Sequence, residues 1–470
     1  MRPGILFSLV VATSLSLALG ACSRSPDERP NLLLITLDTT RPDHLGLYGY
    51  EKPTSPNLDR LAEESVVYDH AYATSSWTLA SHASLFTGLW PQQHGAQSVP
   101  EGQNRELGYG VRSLDDSFTT LAETLRGRGY RTAAVIAGPA LRSELGVAQG
   151  FEIFDDEFSS QLALFNGRRA EPVIDRALEL IESFGNQPWF LFINVFDPHA
   201  PYRPPPPHDG GLPQAGEAAG LGARVKKGIV ARAAREEAWR PVADLDSETA
   251  EFFGRQLAGY DAEIRYMDLH LGRLFESVRA DDAGRGTVLA ITADHGESFG
   301  EHFLFSHGAH LYEDNVRVPL LIRYPRGRGA GRVGTPVQNH RLFDALVAAA
   351  GGNATPTAFD DSPQPIVLEV RQSDANTRIL GEFFARNLRA IVAPPYKLIE
   401  SSSGKKELFR LDTDPGELTD LSESEAATVE RLSEQLAEIA AEYPPLYREE
   451  SRAGLRDETA ESLRALGYLD

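Results

Sequence analysis

Residues 74–88 read TSSWTLASHASLFTG, and the rest of the chain is organised around this stretch. From Ser81 onward the residues favour a helix, which places Thr78 at or just before the amino terminus of that helix. The backbone N–H groups and the dipole of a helix terminus attract anions. Ser75, Ser76 and Ser81 are expected to cap the helix. The stretch therefore predicts that Thr78 faces an anionic ester.

Several continuous apolar runs elsewhere in the chain lead into polar side chains. The runs at 31–37, 188–196 and 287–292 lead to Asp38, to Asp197 and His199, and to Asp294 and His295. Such runs are typical of buried parallel strands, and the functional residues of α/β proteins lie at the carboxyl ends of those strands. Taken alone, Asp38 could instead cap a helix, and His199 could be a solvated loop histidine.

The motifs at these positions resemble those of the sulfatases, within the alkaline phosphatase superfamily. That family writes C-x-P-S-R, a few residues, an apolar pair and T-G, and Leu85-Phe86-Thr87-Gly88 fixes the register here. The Cys, Pro, Ser and Arg positions of the motif then fall on Thr78, Ala80, Ser81 and His82. The order of the further motifs carries the resemblance: the Asp38 loop, D-P-H-x-P-Y, D-H-G-E, R-V-P and a C-terminal hairpin.

The resemblance covers most of residues 31–420 and implies an α/β fold. We expect a large, mostly parallel sheet sandwiched by helices, followed by a smaller C-terminal α+β domain with an antiparallel sheet. The catalytic domain is assigned to residues 31–360, with an insertion at about 208–246, and the C-terminal subdomain to 361–470. Short strand-like runs in the second part occur at 366–370, 377–383, 388–392 and 397–401.

The same resemblance implies one divalent metal ion. Its candidate ligands are Asp38 and Thr39 in the first metal loop, Thr78, and Asp294 and His295 in the second. The family often has a second acid where this chain has Thr39. Mixed oxygen and nitrogen ligands suit Mn²⁺ or Zn²⁺ better than the Ca²⁺ usual in sulfatases, and Mg²⁺ is a further candidate.

The nucleophile position differs from that of sulfatases, which oxidise a Cys or Ser there to formylglycine. A threonine cannot become that aldehyde, and Cys22 is the only cysteine of the chain, so no formylglycine is expected. On a divalent cation the Thr78 hydroxyl would have a depressed pKa and act as an alkoxide nucleophile. Alternatively, a metal-bound hydroxide attacks the ester, and Thr78 serves only as a ligand.

Histidines supply the remaining candidate site residues. His82 stands at the arginine position, His199 lies in the D-P-H-x-P-Y loop, and His307 is near the place where sulfatases put a Lys or His on the ester. His199, His302 or His307 would protonate the leaving oxygen, and these residues with Ser81 would bind the substrate. The family's G-K-W-H-L-G element, with its sulfate-binding Lys and His, is replaced by Gly138-Pro139-Ala140.

Three functions remain open from the sequence. The first is a sulfatase-family, metal-dependent hydrolase of sulfate or phosphate esters on small molecules or glycans. The second is a phosphotransferase or phosphodiesterase that acts on envelope lipids or glycans. The third is a catalytically inactive protein that binds an anionic glycan. The four residues at positions 38, 78, 294 and 295 argue for an enzyme, whereas Thr39 and the missing G-K-W-H element keep the third function open.

Composition and the amino terminus bear on localisation. The net charge of -21 argues against a nucleic-acid partner, which would require a basic surface. Residues 1–21 are interpreted as a lipoprotein signal peptide, because Leu19-Gly20-Ala21-Cys22 resembles a bacterial lipobox after an apolar run. Cys22 would then be lipidated, with 22–30 as a tether to the membrane of a bacterial cell envelope. A transmembrane anchor, or a plain signal with a chance Cys, is the alternative.

Overall fold

The structure is a computed structural model that describes residues 29–99, 110–157, 167–208, 247–351, 365–373, 377, 384–448 and 455–465. The predicted signal peptide, Cys22, most of the tether, nearly all of the 208–246 insertion and most of the run at 377–383 lie outside the described residues. Among the described residues, no helix combines the length and the apolar character needed to cross a membrane.

An eight-stranded sheet forms the centre of the larger domain. Its strands are β1 Asn31–Leu37, β2 Val66–Tyr68, β4 Arg131–Val135, β5 Ile153–Asp155, β6 Trp189–Val195, β7 Thr287–Thr292, β11 Leu320–Arg323 and β12 Gly331–Val333. Their order in the sheet is β12-β2-β11-β7-β1-β6-β4-β5, and neighbouring strands are parallel except where β11 runs antiparallel to β2 and β7.

Helices cover both faces of this sheet, because alternate residues of its apolar strands face opposite layers. Leu32 and Leu34 of β1 belong to one buried cluster and Leu33 and Ile35 to another. The first layer holds α2 Thr78–Thr87, α4 Leu121–Gly127 and α8 Leu342–Ala350. The second holds α1 Pro56–Ala62, α5 Ala170–Phe184 and α6 Ser247–Asp281. The predicted mostly parallel sheet between helices is confirmed.

Smaller elements connect these layers around the edge of the sheet. They are β3 Ala71–Tyr72, α3 Pro91–His94, β8 Ser298–Phe299, β9 Phe305–Ser306, α7 Glu313–Val316, β10 Arg317–Val318 and β13 Val337–Gln338. β10, β3 and β13 form a small second sheet, and β8 pairs with β9 as a short hairpin.

The C-terminal part contains the antiparallel sheet that the sequence predicts, in the order β14-β15-β16-β17. Its elements are β14 Ile366–Val370, β15 Leu388–Ala393, β16 Tyr396–Ser401 and β17 Lys406–Arg410, followed by α9 Ala426–Glu442 and α10 Asp457–Ala465. One face of the sheet packs on Leu432 and Leu436 of α9. The other packs on Leu311 and Tyr312 of the larger domain, so this sheet lies against the loops that follow β7.

Candidate active site

Three predicted metal ligands converge at the carboxyl ends of two neighbouring strands. Asp38 directly follows β1, and Asp294 and His295 come just after β7, the parallel neighbour of β1. One ligand atom from each residue lies within 4.8 Å of the others, and all three side chains are fully buried. The strands therefore bring together side chains more than 250 positions apart in the chain.

The polar atoms of this cluster are not satisfied by the protein. Asp38 Oδ1, Thr39 Oγ1 and Asp294 Oδ2 have no hydrogen-bond partner among the described residues. Burial raises the pKa of Asp38 well above its usual value, and the charge of Asp294 raises it further. Buried acceptors without donors are costly, and a divalent cation would satisfy them. The donor set therefore fits one metal ion.

The orientation of His295 follows from its hydrogen bonds. Nδ1 lies 2.9 Å from the Gly296 carbonyl oxygen, which can only accept, so Nδ1 carries the proton. Nε2 therefore presents a lone pair, and it lies 3.0 Å from Thr78 Oγ1. A backbone carbonyl that fixes the tautomer in this way is typical of metal-binding histidines.

Thr78 is the first residue of α2, as the sequence predicts. Trp77 is the N-cap residue and makes no side-chain capping bond, so the expected capping by the serines is wrong. Ser81 Oγ instead donates to the Asp294 carbonyl oxygen at 2.7 Å, and Ser76 Oγ has no partner among the described residues. The Ser81 bond holds the start of α2 against the second metal loop.

His82 lies beneath the cluster and is fully buried. Its Nδ1 is 2.8 Å from the Thr78 carbonyl oxygen and its Nε2 is 2.9 Å from Thr36 Oγ1. Both ring nitrogens are thus engaged within the protein. His82 is thus bonded to Thr78 and Thr36, and its predicted catalytic role stays a prediction.

His199 and His307 lie beside His295. The His307 ring is 4.3 Å from the ring of His295 and 5.0 Å from that of His199, and His307 Nδ1 is 3.1 Å from Glu297 Oε1. Burial lowers the pKa of His199 and of His307 to about 4 in each case. His199 also stacks on Phe196 with 4.4 Å between ring centroids. Two of the three predicted proton donors therefore lie beside the metal cluster.

His302 lies in different surroundings. Its ring stacks on Tyr312 with 4.0 Å between ring centroids. Burial lowers the pKa of His302, and the charge of Asp314 opposes that shift without cancelling it. Tyr312 packs with the C-terminal sheet. The structure thus places His302 at the junction of the two sheets, and its predicted role in substrate binding stays a prediction.

Strained backbone surrounds the cluster. Positive φ angles at non-glycine residues occur in the first metal loop at Thr39 (52°), after His199 at Tyr202 (49°), and at His302 (50°), Phe303 (56°) and Ser306 (68°). Residues in this conformation persist only where the surroundings impose it, and they concentrate at functional sites. Most of the positive-φ non-glycine residues in the described part of the chain belong to loops at this edge of the sheet.

Two supporting residues were not recognised as site residues from the sequence. The Tyr260 hydroxyl, from the middle of α6, donates to the Thr39 carbonyl oxygen at 2.7 Å and accepts from the Arg41 backbone N–H at 2.8 Å. Asn194 Nδ2 lies 3.4 Å from Asp38 Oδ2. Tyr260 lies in a segment to which the sequence assigns no site residue, and Asn194 lies in the apolar run at 188–196, which the sequence predicts as a buried strand. Asn194 is itself a polar residue inside that apolar run, which is the one signal that could have identified it.

Comparison with known proteins supports the same family. The sulfatase family model matches residues 30–352, and a model described as N-sulphoglucosamine sulphohydrolase, C-terminal, matches 300–442. An uncharacterized sulfatase, YidJ, of Escherichia coli is 23% identical over 431 residues, which cover 84% of this chain and 83% of that protein.

Solved structures share the fold. A phosphonate monoester hydrolase of Agrobacterium radiobacter superimposes with a TM-score of 0.66 at 22% identity, covering 88% of this chain and 96% of the other. A protein solved in complex with its substrate D-glucosamine-2-N,6-O-disulfate gives a TM-score of 0.69 at 19% identity, covering 91% of this chain and 100% of the other. The family model alone spans more than half of the chain. The chain therefore belongs to the sulfatase family of ester-hydrolysing enzymes.

Proposed function

We propose that this protein is a metal-dependent hydrolase of sulfate or phosphate-type esters in which Thr78 is the nucleophile. One observation carries the proposal: Thr78 Oγ1 lies 3.0 Å from His295 Nε2, in a buried cluster in which Asp38 Oδ1 and Asp294 Oδ2 lack hydrogen-bond partners among the described residues. The Thr78 hydroxyl lies at the amino terminus of α2, beside the lone pair of His295 Nε2 and the carboxylates of Asp38 and Asp294. This position suits attack on an anionic ester.

Asp38, Asp294, His295 and Thr78 would hold the metal ion, and Thr39 Oγ1 faces no other partner among the described residues. When bound, the ion supplies positive charge that acidifies the Thr78 hydroxyl and offsets the charge of the ester. Two carboxylates and one imidazole suit Mn²⁺ or Zn²⁺ better than Ca²⁺, which prefers more oxygen ligands.

The chain's own residues then account for the proton transfers. The Thr78 hydroxyl would release its proton to solvent, Oγ1 attacks phosphorus or sulfur, the bond to the leaving oxygen breaks, and that oxygen takes a proton from His199 or His307. Both histidines are neutral when the site holds no anion, because burial lowers the pKa of each to about 4. A bound anionic ester raises the pKa of both, so the proton becomes available in the substrate complex. Water cleaves the threonyl ester and completes the cycle.

Phosphoryl transfer is the second candidate, and Thr78 favours it. A threonyl phosphate can be resolved by water or by an acceptor alcohol, which would make the enzyme a phosphodiesterase or phosphotransferase. A threonyl sulfate lacks the route by which a formylglycine hydrate releases sulfate. The neighbouring structures include both a phosphonate ester hydrolase and a protein with a sulfated sugar substrate, so the experiment includes esters of both kinds of transferred group.

The proposed lipid anchor at Cys22 would direct the site away from the membrane. Pro30 directly precedes β1, whereas Asp38 follows its other end. β1 has 7 residues, so at a rise of about 3.3 Å per residue its first and last Cα atoms lie about 20 Å apart. A tether attached at the first end would leave the catalytic edge facing the aqueous compartment of the envelope. This geometry favours glycans or soluble esters over membrane lipids as substrates.

The experiment compares residues 23–470 with Thr78→Ala and Ser76→Ala variants on nitrophenyl sulfate, phosphate monoester, phosphodiester and phenylphosphonate, each with Mn²⁺, Zn²⁺ or Ca²⁺. We expect Thr78→Ala to lower kcat by at least about 10³-fold even at metal concentrations that saturate the variant. Ser76→Ala, a buried serine two positions away, serves as the matched control. Full activity of Thr78→Ala would refute nucleophilic catalysis by Thr78 and support a metal-bound hydroxide. Metal binding without turnover of any ester would support the glycan-binding function.

A further inference from the structure

A chain of buried polar side chains lies directly beneath the proposed metal site. Thr36 of β1 and Asn194 of β6 are register partners on the neighbouring parallel strands, and both face the layer that contains α2. Asn194 Nδ2 lies 3.4 Å from Thr36 Oγ1, and Thr36 Oγ1 lies 2.9 Å from His82 Nε2. All three side chains have no exposed surface. We call these residues the support layer.

The support layer contacts three of the proposed ligands. Asn194 Nδ2 is 3.4 Å from Asp38 Oδ2. His82 Nδ1 is 2.8 Å from the Thr78 carbonyl oxygen and 3.6 Å from Asp294 Oδ2. The layer therefore bridges two strands and a helix at the point where the ligands converge.

We propose that Asn194, Thr36 and His82 act as one positioning unit that sets the geometry of Asp38, Thr78 and Asp294 for the metal ion, in place of the charged arginine of the family motif. The proposal rests on the metal site described under the proposed function. It assigns His82 a positioning role, since His82 contacts neither substrate nor reacting atoms.

The direction of every hydrogen bond in the layer can be fixed. Asn194 Oδ1 accepts from the backbone N–H groups of Ala137 and Gly138, at 3.3 and 3.0 Å, so its Nδ2 faces Thr36 and Asp38. Because the Thr78 carbonyl oxygen can only accept, His82 Nδ1 is the protonated nitrogen. Nε2 of the neutral ring therefore accepts from Thr36 Oγ1, which itself accepts from Asn194.

This order makes His82 neutral, with Nδ1 protonated and Nε2 accepting. The surroundings agree, because the rings of Phe86 and Phe192 lie 6.2 and 5.8 Å from the imidazole. A fully satisfied polar network is rigid, and its members specify one arrangement of the groups they contact. Outer partners that orient metal ligands typically contribute 10- to 100-fold to metal affinity.

The test uses two substitutions that each preserve one end of the imidazole. In His82→Asn the amide replaces Nδ1 and keeps the bond to the Thr78 carbonyl. In His82→Gln the amide replaces Nε2 and keeps only the contact with Thr36. Thr36→Val removes the central hydroxyl at constant volume, and Thr36→Ser retains it. His94→Gln is the matched control, because His94 is also fully buried and bonds Ser84 Oγ on the same helix, 3.0 Å from its Nε2.

The readout is the Kd for Mn²⁺ and for Zn²⁺ by titration calorimetry on residues 23–470, with kcat and KM measured alongside. We expect His82→Gln, His82→Asn and Thr36→Val, each of which breaks the unit, to weaken metal binding by about tenfold or more, and Thr36→Ser, which keeps every bond, to weaken it by less than about threefold. His94→Gln should lower the melting temperature without changing the metal Kd.

Unchanged metal Kd values in both His82→Gln and Thr36→Val would overturn the proposal, as would equal losses in Thr36→Val and Thr36→Ser. If His82→Gln fails to fold, the difference in metal Kd between Thr36→Val and Thr36→Ser tests the proposal by itself. A wild-type protein that binds Mn²⁺ or Zn²⁺ but hydrolyses no ester would refute the proposed function and leave the support layer testable. Wild-type protein that binds neither ion would refute both.

Discussion

Two buried clusters of charged groups differ in whether the protein supplies a cation for their carboxylates. At the junction of the sheets, Lys397 has no exposed surface, and its Nζ lies 2.9 Å from Glu313 Oε1 and 2.8 Å from Glu417 Oε1. At the carboxyl ends of β1 and β7, Asp38 Oδ1 and Asp294 Oδ2 have no hydrogen-bond partner among the described residues. The first cluster contains a cation of its own, Lys397, whereas the carboxylates of the second face only imidazoles and amides in the described part of the chain.

The difference separates a structural role from a functional one. A buried ion pair whose charges are matched holds its elements in register, and removal of one partner is costly. Buried carboxylates without a cation repel each other, and they raise the free energy of the metal-free protein. We therefore expect opposite responses when each cluster is neutralised.

Neutralisation of the metal cluster should have the largest effect on function. Asp38→Asn removes one ligand charge, so metal binding should weaken by more than about 100-fold, the upper range for outer-shell changes, and activity should be lost. The metal-free variant should gain free energy of unfolding, because burial and the charge of Asp294 raise the pKa of Asp38 well above its usual value. Calorimetric metal titration and denaturant unfolding without metal measure both quantities.

Asp43→Asn is the control for this variant, because Asp43 lies in the same loop, is largely exposed and pairs with Arg41. It should leave the metal Kd within about twofold, as expected for a surface charge. A metal-free Asp38→Asn protein that is less stable than the wild type would show that Asp38 is satisfied without a cation, and would contradict the comparison.

Neutralisation of the junction cluster should have the largest effect on stability. Lys397→Met leaves the carboxylates of Glu313 and Glu417 buried without their cation, which should cost about 3–5 kcal/mol in the free energy of unfolding. The metal Kd of the folded fraction should not change. Chemical denaturation and metal titration of the same preparations test both statements.

A second substitution sharpens this result. In Lys397→Met with Glu417→Gln, one of the two stranded charges is removed, so part of the lost stability should return. An additive loss in the double variant would mean that Lys397 acts through packing of its alkyl chain and not through its charge.

The sequence predicted most of the architecture because buried strands have a strong local pattern. The runs at 287–292 and 366–370 coincide with β7 and β14, and strand ends brought Asp38, Asp294 and His295 together as expected. The roles assigned to the site residues stay predictions.

The rest of the site depends on contacts that local patterns do not encode. The expected serine cap was wrong because Ser81 Oγ finds the Asp294 carbonyl, 213 positions away, only in the folded chain. Tyr260, in the middle of α6, supports the Thr39 loop from 221 positions away in the chain. Such partners follow from the packing of layers and are visible only when the topology is known.

Paired tyrosines provide the smallest and most specific test of the comparison. Tyr260 supports the metal loop through the Thr39 carbonyl oxygen at 2.7 Å, and the Tyr312 hydroxyl lies 3.1 Å from Glu407 Oε2 at the sheet junction. Both are at most 2% exposed. Each Tyr→Phe change removes one buried hydroxyl, so each should cost about 1 kcal/mol of unfolding free energy.

Only Tyr260→Phe should also weaken the metal Kd, by about three- to tenfold, because it releases the positive-φ Thr39 beside Asp38. Tyr312→Phe should leave that Kd within about twofold of the wild type, since its hydroxyl bonds a carboxylate that contacts no proposed ligand. Equal metal affinities in the two variants would mean that the metal loop keeps its strained conformation without Tyr260, and the support of the site would then reside in the layer of Asn194, Thr36 and His82 alone.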